Sequence, residues 1–365
     1  MPTARERMPV KLHLLTRYDR RGASSRLRLL QFIAHLEQSG FRVSTDCLFD
    51  ASYLDALYAG RREPGAILRA YRSRLSALKS ALDADLIWLE KEALPWVPAG
   101  LEHRLFPRDV PVVSDFDDAV FHRYDSHANP MVRALLGRKI ARVMSNSTLV
   151  LAGNAYLGAY AERAGADRIE IVPTVVDAAA YDGSPTPAAP HPTVGWIGTP
   201  GTWRECVAPF LPDILDTLRP LRSRILAVGA GALSAQDAAI DLRDWSEERE
   251  AADIRDMDIG IMPLPDTPWM RGKCGYKLIQ YMACGLPVVA SPVGVNADIV
   301  THGETGFLAS TPAEWRSALK TLIHDPDLRL RMGQAGRKRV ERDYSLQVHG
   351  PRVARMFADL VRRAV

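Results

Sequence analysis

Cysteine is scarce: four residues in 365, Cys47, Cys206, Cys274 and Cys284, with no pair at CxxC spacing. That argues against a disulfide-stapled scaffold and against a cysteine zinc or redox centre, and it fits a reduced, cytoplasmic setting. Long apolar runs are missing too. The most apolar stretch, Leu278 to Val295, is interrupted by Gln280, Gly285, Pro287, Pro292 and Gly294, so it does not read as a membrane span. The basic amino-terminal segment has no apolar core of signal-peptide length. Neither charge sign dominates: 47 Lys and Arg against 43 Asp and Glu leave +4. With no alternation of aromatic and basic residues, nucleic acid is not an expected partner.

What is present is an ordinary globular composition, 47% hydrophobic and 25% charged, in a chain long enough for two domains. Short apolar runs alternate with helical patterns, which predicts parallel strands joined by crossover helices. Strands are expected at Lys11 to Thr16, Val43 to Leu48, Asp85 to Leu89, Val110 to Ser114, Leu149 to Ala152 and Ile169 to Val172. Helices are expected at Ser25 to Ser39 and Met131 to Met144. A proline-rich stretch over 182–192 reads as a linker, and a second α/β series follows it. Its strands are expected at Thr193 to Ile197, Arg224 to Val228, near Leu242, and at Ile259 to Pro263, Pro287 to Ala290 and Gly306 to Leu308. The expectation is an α/β fold of two Rossmann-like domains, 1–181 and 193–345, with parallel sheets facing a cleft, and a terminal helix, 346–365, returning to the first domain.

Three segments of the last third carry chemistry. Met262 to Gly294 places Arg271 and Lys273 in a loop ahead of a helix over Tyr276 to Cys284, where side-chain cations and free backbone amides together suit a diphosphate. Gly195 to Arg204, GWIGTPGTWR, opens a strand onto a turn containing Gly198 and Gly201. Glycines there suit either a close backbone approach to phosphate or turn geometry alone. The third, Val295 to Ala309, reads as a helical turn, a glycine turn and a strand.

Together, the strings YMACGLPVVA (Tyr281 to Ala290), Gly294, Asp298 to Val300, GETGFL (Gly303 to Leu308) and RMGQAGRKRVERDYSLQV resemble the carboxyl-terminal domain of glycosyltransferase family 4. Its members have the GT-B fold. The resemblance runs from about Val194 to Leu346. It implies transfer of a sugar, hexosyltransferase-like, from a nucleotide-activated donor with retention of configuration, without a metal or other cofactor. The family's paired glutamates fall here on Gly272 and Gln280. Gln280 retains the capacity to hydrogen-bond a ribose diol. The family's diphosphate-binding arginine falls on Thr199, and Arg204 lies near its lysine. Lys273 and Lys277, four apart, are expected to supply the missing charge from one helical face, or else form a solvated helix start. Trp245 stands where the nucleobase pocket is implied, for stacking or for core packing.

In the amino-terminal half, SDFDDAVF puts Asp115, Asp117 and Asp118 beyond a strand end. They could orient an acceptor hydroxyl, cap a helix or hold a cation. The resemblance places Asp117 near the family's His-Asp segment and gives it the acceptor-side role, assisting deprotonation, with Asp118 beside it. Arg26 and Arg28, from a five-arginine loop, could grip an anion or form a solvated face. Glu92, in the triplet Glu90 to Glu92, could meet acceptor hydroxyls or be surface charge. From Arg61 to Lys79, six basic residues surround a leucine stripe that could lie on the inner face of a membrane or pack on the sheet. The implied partners are a nucleotide-sugar donor and a saccharide, lipid-linked or natural-product acceptor. The rival readings are a nucleotide-sugar epimerase on the same fold and a non-catalytic nucleotide or sugar binder.

Overall fold

The computed structural model describes residues 9–58, 60, 61, 63–181, 191–232 and 237–364. It divides into two compact units. One holds the described residues up to Thr174 and those from His349 onward; the other spans Val175–Val348. The proline-rich stretch lies, up to Pro190, outside the described residues.

The first unit is built on β1 (Val10–Tyr18), β2 (Phe41–Phe49), β3 (Leu86–Glu90), β4 (Val112–Phe116), β5 (Leu149–Ala152) and β6 (Ile169–Ile171). All pair in parallel, in the order β2-β1-β3-β4-β5-β6. Leu12, Leu14 and Leu15 of β1 are fully buried, as expected of a parallel strand covered on both faces. The terminal helix Leu346–Ala364 contributes Phe357, which meets Trp88 edge-on at 4.9 Å between centroids.

The second unit is built on β7 (Thr193–Ile197), β8 (Arg224–Val228), β9 (Ile240–Arg243), β10 (Ile259–Met262), β11 (Val288–Ala290) and β12 (Gly306–Leu308). They too are parallel, in the order β12-β11-β10-β7-β8-β9. The chain therefore leaves β7 toward β8 and β9 and crosses back to β10, so the strand order reverses between β7 and β10. In open sheets of this kind ligands bind outside the carboxyl ends at that reversal.

Three expected elements differ. The helix expected over Ser25 to Ser39 is three pieces, Ala23–Arg28, Leu30–Phe32 and Ile33–Gln38. It breaks at Leu29 (φ −121°, ψ −59°), just after Arg28 turns its side chain inward. The helix expected over Met131 to Met144 is two, Pro130–Leu136 and Lys139–Ser145, with Arg138 off helical geometry (φ −102°, ψ 11°) and Lys139 buried next to it. The strand expected at Val110 to Ser114 is shifted two residues, to β4. Pairing with β3 sets that register and places Asp115 opposite Glu90.

Candidate functional site

In the second unit, four loops meet at the carboxyl ends of the sheet. Gly229, at φ +75°, lies so close behind the turn after β7 that any Cβ would stand 2.2 Å from the Gly198 carbonyl oxygen. Gly294, at φ +55°, backs onto Arg271 in the same way, with a Cβ position 2.6 Å from its carbonyl oxygen. These contacts tie the turn after β7 to the one after β8, and the loop after β10 to the one after β11. Only glycine tolerates such approach and backbone angle together.

The first helical residues of Tyr276–Ala283 bring Lys277 into this convergence. Its Nζ sits 5.7 Å from the Trp196 ring centroid, within cation–π range. A side-chain carbon at Gly198 would lie 2.9 Å from Lys277 Cε, so the glycine turn and the lysine are neighbours. Burial pushes the Cys206 thiol up, and the positive charges of Lys273 and Lys277 oppose that rise. The expected shared helical face does not exist. Gly275, left-handed at φ +64°, separates Lys273 in the preceding loop from Lys277 in the helix.

The remaining donor-side residues are distributed unevenly. Thr199 caps the short turn Pro200–Thr202, its Oγ1 accepting the Thr202 amide. Gly201 is in the same turn, with open space where a Cβ would go. Arg204 is exposed on the π-type turn Trp203–Val207, a widened geometry common at functional sites. Arg271 is committed to Asp266 by two contacts of 2.7 and 2.9 Å. Gly272, at φ −80°, simply ends the helix Pro268–Arg271.

Gln280 is buried, and its Nε2 donates to Tyr181 Oη at 3.1 Å. That hydroxyl donates to Glu250 Oε1 at 2.5 Å, and Trp245 Nε1 donates to Glu250 Oε2 at 2.8 Å. A buried carboxylate thus fixes both the half-buried Trp245 and, through Tyr181, Gln280. Sequence reasoning missed Glu250 and Tyr181, because neither belongs to a motif and their partners lie 5 and 99 residues away.

In the first unit, a charged cluster occupies the carboxyl ends of β1, β3 and β4. Asp117 Oδ1 lies 2.7 Å from Lys91 Nζ, which also donates to Ser24 Oγ at 3.1 Å. Burial alone would raise the Asp117 carboxyl, but Lys91 and Ser24 pull it down to about 2. The Lys91 ion pair holds it as a carboxylate, able to orient a group and accept hydrogen bonds. Lys91 reaches it from a left-handed backbone, φ 61°, in a three-residue turn closed by Glu92 N donating to the Glu90 carbonyl at 2.7 Å. Glu90 Oε2 accepts from the Arg17 amide at 2.7 Å and from Ser25 Oγ at 2.6 Å.

Asp115 belongs to β4 rather than to a loop, and it grips Arg28 with contacts of 2.7 and 3.2 Å. Arg28 also donates to the Val172 carbonyl at 2.8 Å. Arg28 is therefore an internal brace, in place of the expected anion grip. Glu92 is likewise buried, pairing with Lys139 at 3.0 Å and accepting the Tyr124 hydroxyl. Arg26 is buried, with a guanidinium nitrogen on the Arg20 carbonyl at 3.4 Å. Asp118 is half-buried beside Asp117. Among the described residues no group of three or more His, Cys, Asp or Glu side chains converges as a metal site.

Residues 191–325 match the family model of glycosyl transferases group 1. A phosphatidyl-myo-inositol mannosyltransferase of Propionibacterium freudenreichii is 27% identical over 175 residues, 46% of this chain and 43% of that protein. A D-inositol 3-phosphate glycosyltransferase of Gordonia bronchialis is 28% identical over 154 residues, 38% of this chain and 32% of that protein. The alignments thus span less than half the length of these curated relatives. Across 97% of this chain and all of the other, the fold matches a sucrose-phosphate synthase of Thermosynechococcus elongatus with TM-score 0.74 at 15% identity. Anabaena HepE, solved with UDP-glucose, matches over 96% of this chain and 99% of its own with TM-score 0.68 at 16% identity. The fold is GT-B.

Proposed function

We propose that this chain, whose residues 191–325 belong to the glycosyl transferases group 1 family, transfers a sugar from a nucleotide-activated donor to an acceptor hydroxyl. The observation that carries this reading is the convergence of the Gly198 turn and Lys277 at the strand-order reversal between β7 and β10, with Lys273 in the loop that leads into the Lys277 helix. Departure of a nucleoside diphosphate requires neutralisation of its developing charge, and fixed cations supply that. Lys273, Lys277 and Arg204 are assigned to the diphosphate, Gln280 to the ribose and Trp245 to the base, with the Gly198 to Gly201 turn and Gly294 shaping the phosphate side.

In this reading the bond from the anomeric carbon to the diphosphate oxygen breaks, and a bond to the acceptor oxygen forms with retention of configuration. The acceptor proton passes to the departing diphosphate, whose bridging oxygen gains negative charge as the glycosidic bond breaks. Asp117 aligns the acceptor hydroxyl, and Lys91 holds Asp117 ionised. No metal or other cofactor enters the scheme.

The acceptor we assign is saccharide or lipid-linked. The name of one relative, phosphatidyl-myo-inositol mannosyltransferase, carries a lipid acceptor, and the surface of the first unit supports contact with a bilayer at the inner face of the membrane. On the helix Pro64–Ser80, Leu68 and Leu75 are 55% and 39% exposed, with Arg69, Arg72 and Lys79 exposed among them. Tyr71 of that helix donates to the Pro95 carbonyl at 2.5 Å, which places it beside Trp96, 48% exposed. Leucines, arginines and an exposed tryptophan are what an anionic interface attracts. No helix among the described residues is long and apolar enough to cross a membrane.

The test begins with a thermal-shift panel of UDP, GDP, ADP, CDP and dTDP, then incubates the matching nucleotide sugars with saccharide and lipid-linked acceptors. Donor loss matched by a heavier acceptor supports transfer. A changed sugar without acceptor gain would indicate epimerisation, and binding without turnover a sensor. Cosedimentation with phosphatidylglycerol vesicles, lost in a Leu68→Ser/Leu75→Ser variant, tests the membrane contact; native protein left in the supernatant overturns it.

A further inference from the structure

A cavity of about 690 Å³ lies within the first unit, with the residues that lead into the amino ends of β4 and β5 in its lining. It is bounded by the segments that lead into β4 and β5 and by the helices Ala99–His103 and Lys139–Ser145. Its volume is within the range of small-molecule sites. Its floor is apolar, with Leu89, Ala99 and Val143 buried in the core.

The polar lining is asymmetric. Glu102, its one acidic side chain, is already spent: its oxygens accept the Ala93 and Leu94 amides at 2.9 and 3.2 Å and pair with Lys139 at 2.9 Å. His103, Arg104, Arg108 and Asn146 line the cavity and are exposed, and none of their side chains has a hydrogen-bond or ion-pair partner among the described residues. Most buried arginines of this unit are committed, Arg28 to Asp115, Arg74 to the Thr16 carbonyl and Arg26 to the Arg20 carbonyl. Two uncommitted guanidiniums above an apolar floor recognise a planar or tetrahedral anion that carries an apolar group.

We propose that this cavity binds a small amphipathic anion, a phosphate or carboxylate bearing an apolar body. Arg104 and Arg108 hold the charge, Asn146 donates to it, and the apolar part rests on Leu89 and Val143. This does not depend on the proposed transfer reaction, because the cavity lies wholly within the first unit. The anion could be a free metabolite or a lipid headgroup, and the probes separate the two.

The experiment titrates the full chain by calorimetry with inorganic phosphate and with phenyl phosphate, at a saturating concentration of the nucleoside diphosphate that the thermal-shift panel selects, so that the diphosphate site proposed in the second unit is filled. Phenyl phosphate should bind at least about tenfold more tightly than inorganic phosphate, reflecting the apolar floor. Arg104→Ala/Arg108→Ala should weaken it at least about tenfold. Both arginines are exposed, so an unchanged unfolding midpoint in the double variant verifies the fold. Vesicles containing phosphatidic acid that compete with phenyl phosphate identify a headgroup; failure to compete identifies a free anion. Absence of phenyl phosphate binding, equal affinity for both probes, or full affinity in the double variant would overturn the site.

Discussion

Lys91 holds its ammonium 2.7 Å from the Asp117 carboxylate while its own backbone sits at φ 61°. A lysine in the left-handed region costs about 1 kcal/mol or more, and it persists only where surrounding contacts over-determine it. Here those contacts are Asp117 and Ser24 for the side chain, and for the backbone the Lys91 amide donating to the Asp115 carbonyl at 2.9 Å. The consequence is a carboxylate fixed in place and kept ionised at the end of β4.

Replacing Lys91 by Met keeps the bulk and removes the charge. Asp117, nine-tenths buried, is then left without its cation, and such uncompensated burial costs about 3 kcal/mol. Denaturant unfolding should show that loss. Lys91→Met/Asp117→Asn should recover much of it, because neither partner is then charged. If the single variant is as stable as the native chain, the pair does not hold this end of the sheet.

Acid stability follows from the same pair. The Asp117 carboxyl sits at about 2 in the folded chain against its ordinary value of 3.8. A depressed folded value contributes stability that is present above the ordinary value and lost as pH falls through the folded one. The gap corresponds to about 2 kcal/mol, lost between about pH 4 and pH 2. Unfolding midpoints measured across that window should fall less steeply for Asp117→Asn than for the native chain. Parallel slopes would mean that Asp117 is not depressed.

Both sheets were legible because their inner strands are short, mostly apolar and largely buried runs; Thr193–Ile197, Arg224–Val228 and Leu149–Ala152 fall where the pattern puts them, as does the edge strand Gly306–Leu308. Helix continuity was less legible. Arg28 and Lys139 look like surface residues of long helices, and each helix breaks so that the cation can reach a buried carboxylate, Asp115 or Glu92. The same limit applied at the site. The strings around Gly294 and Tyr281 to Ala290 are contiguous and readable, whereas Glu250 acts through Tyr181, and Lys91 through a neighbouring strand. Partners set by sheet register leave no spacing to read.

Gln280 stands where the family resemblance would put a glutamate, and Glu250 explains why glutamine is stable there. Tyr181 has one hydroxyl proton, already given to Glu250, so its oxygen can only accept from residue 280, as Gln280 Nε2 allows. Gln280→Glu brings two buried carboxylates onto one proton. The variant should lose about 1–3 kcal/mol at pH 8, with part regained near pH 5 as the new carboxyl takes up a proton. Equal stability at both pH values would show that the network rearranges around the change.

Lys277 is the cation most firmly tied to the glycine turn, so its removal gives the cleanest test of the donor side. Lys277→Ala should weaken nucleoside diphosphate binding by more than about tenfold, the loss expected for one charge-assisted contact to phosphate. Binding of the free nucleoside should hardly change, since its contacts are assigned to Trp245 and Gln280. Lys273→Ala should show the same split, whereas Arg271→Ala should show little of it, because that guanidinium is already occupied by Asp266. Calorimetric titrations of the three variants with diphosphate and with nucleoside would check this. Equal losses for both ligands would place the lysines in the scaffold, and a large diphosphate loss in Arg271→Ala would mean that the Asp266 pair opens when the donor binds.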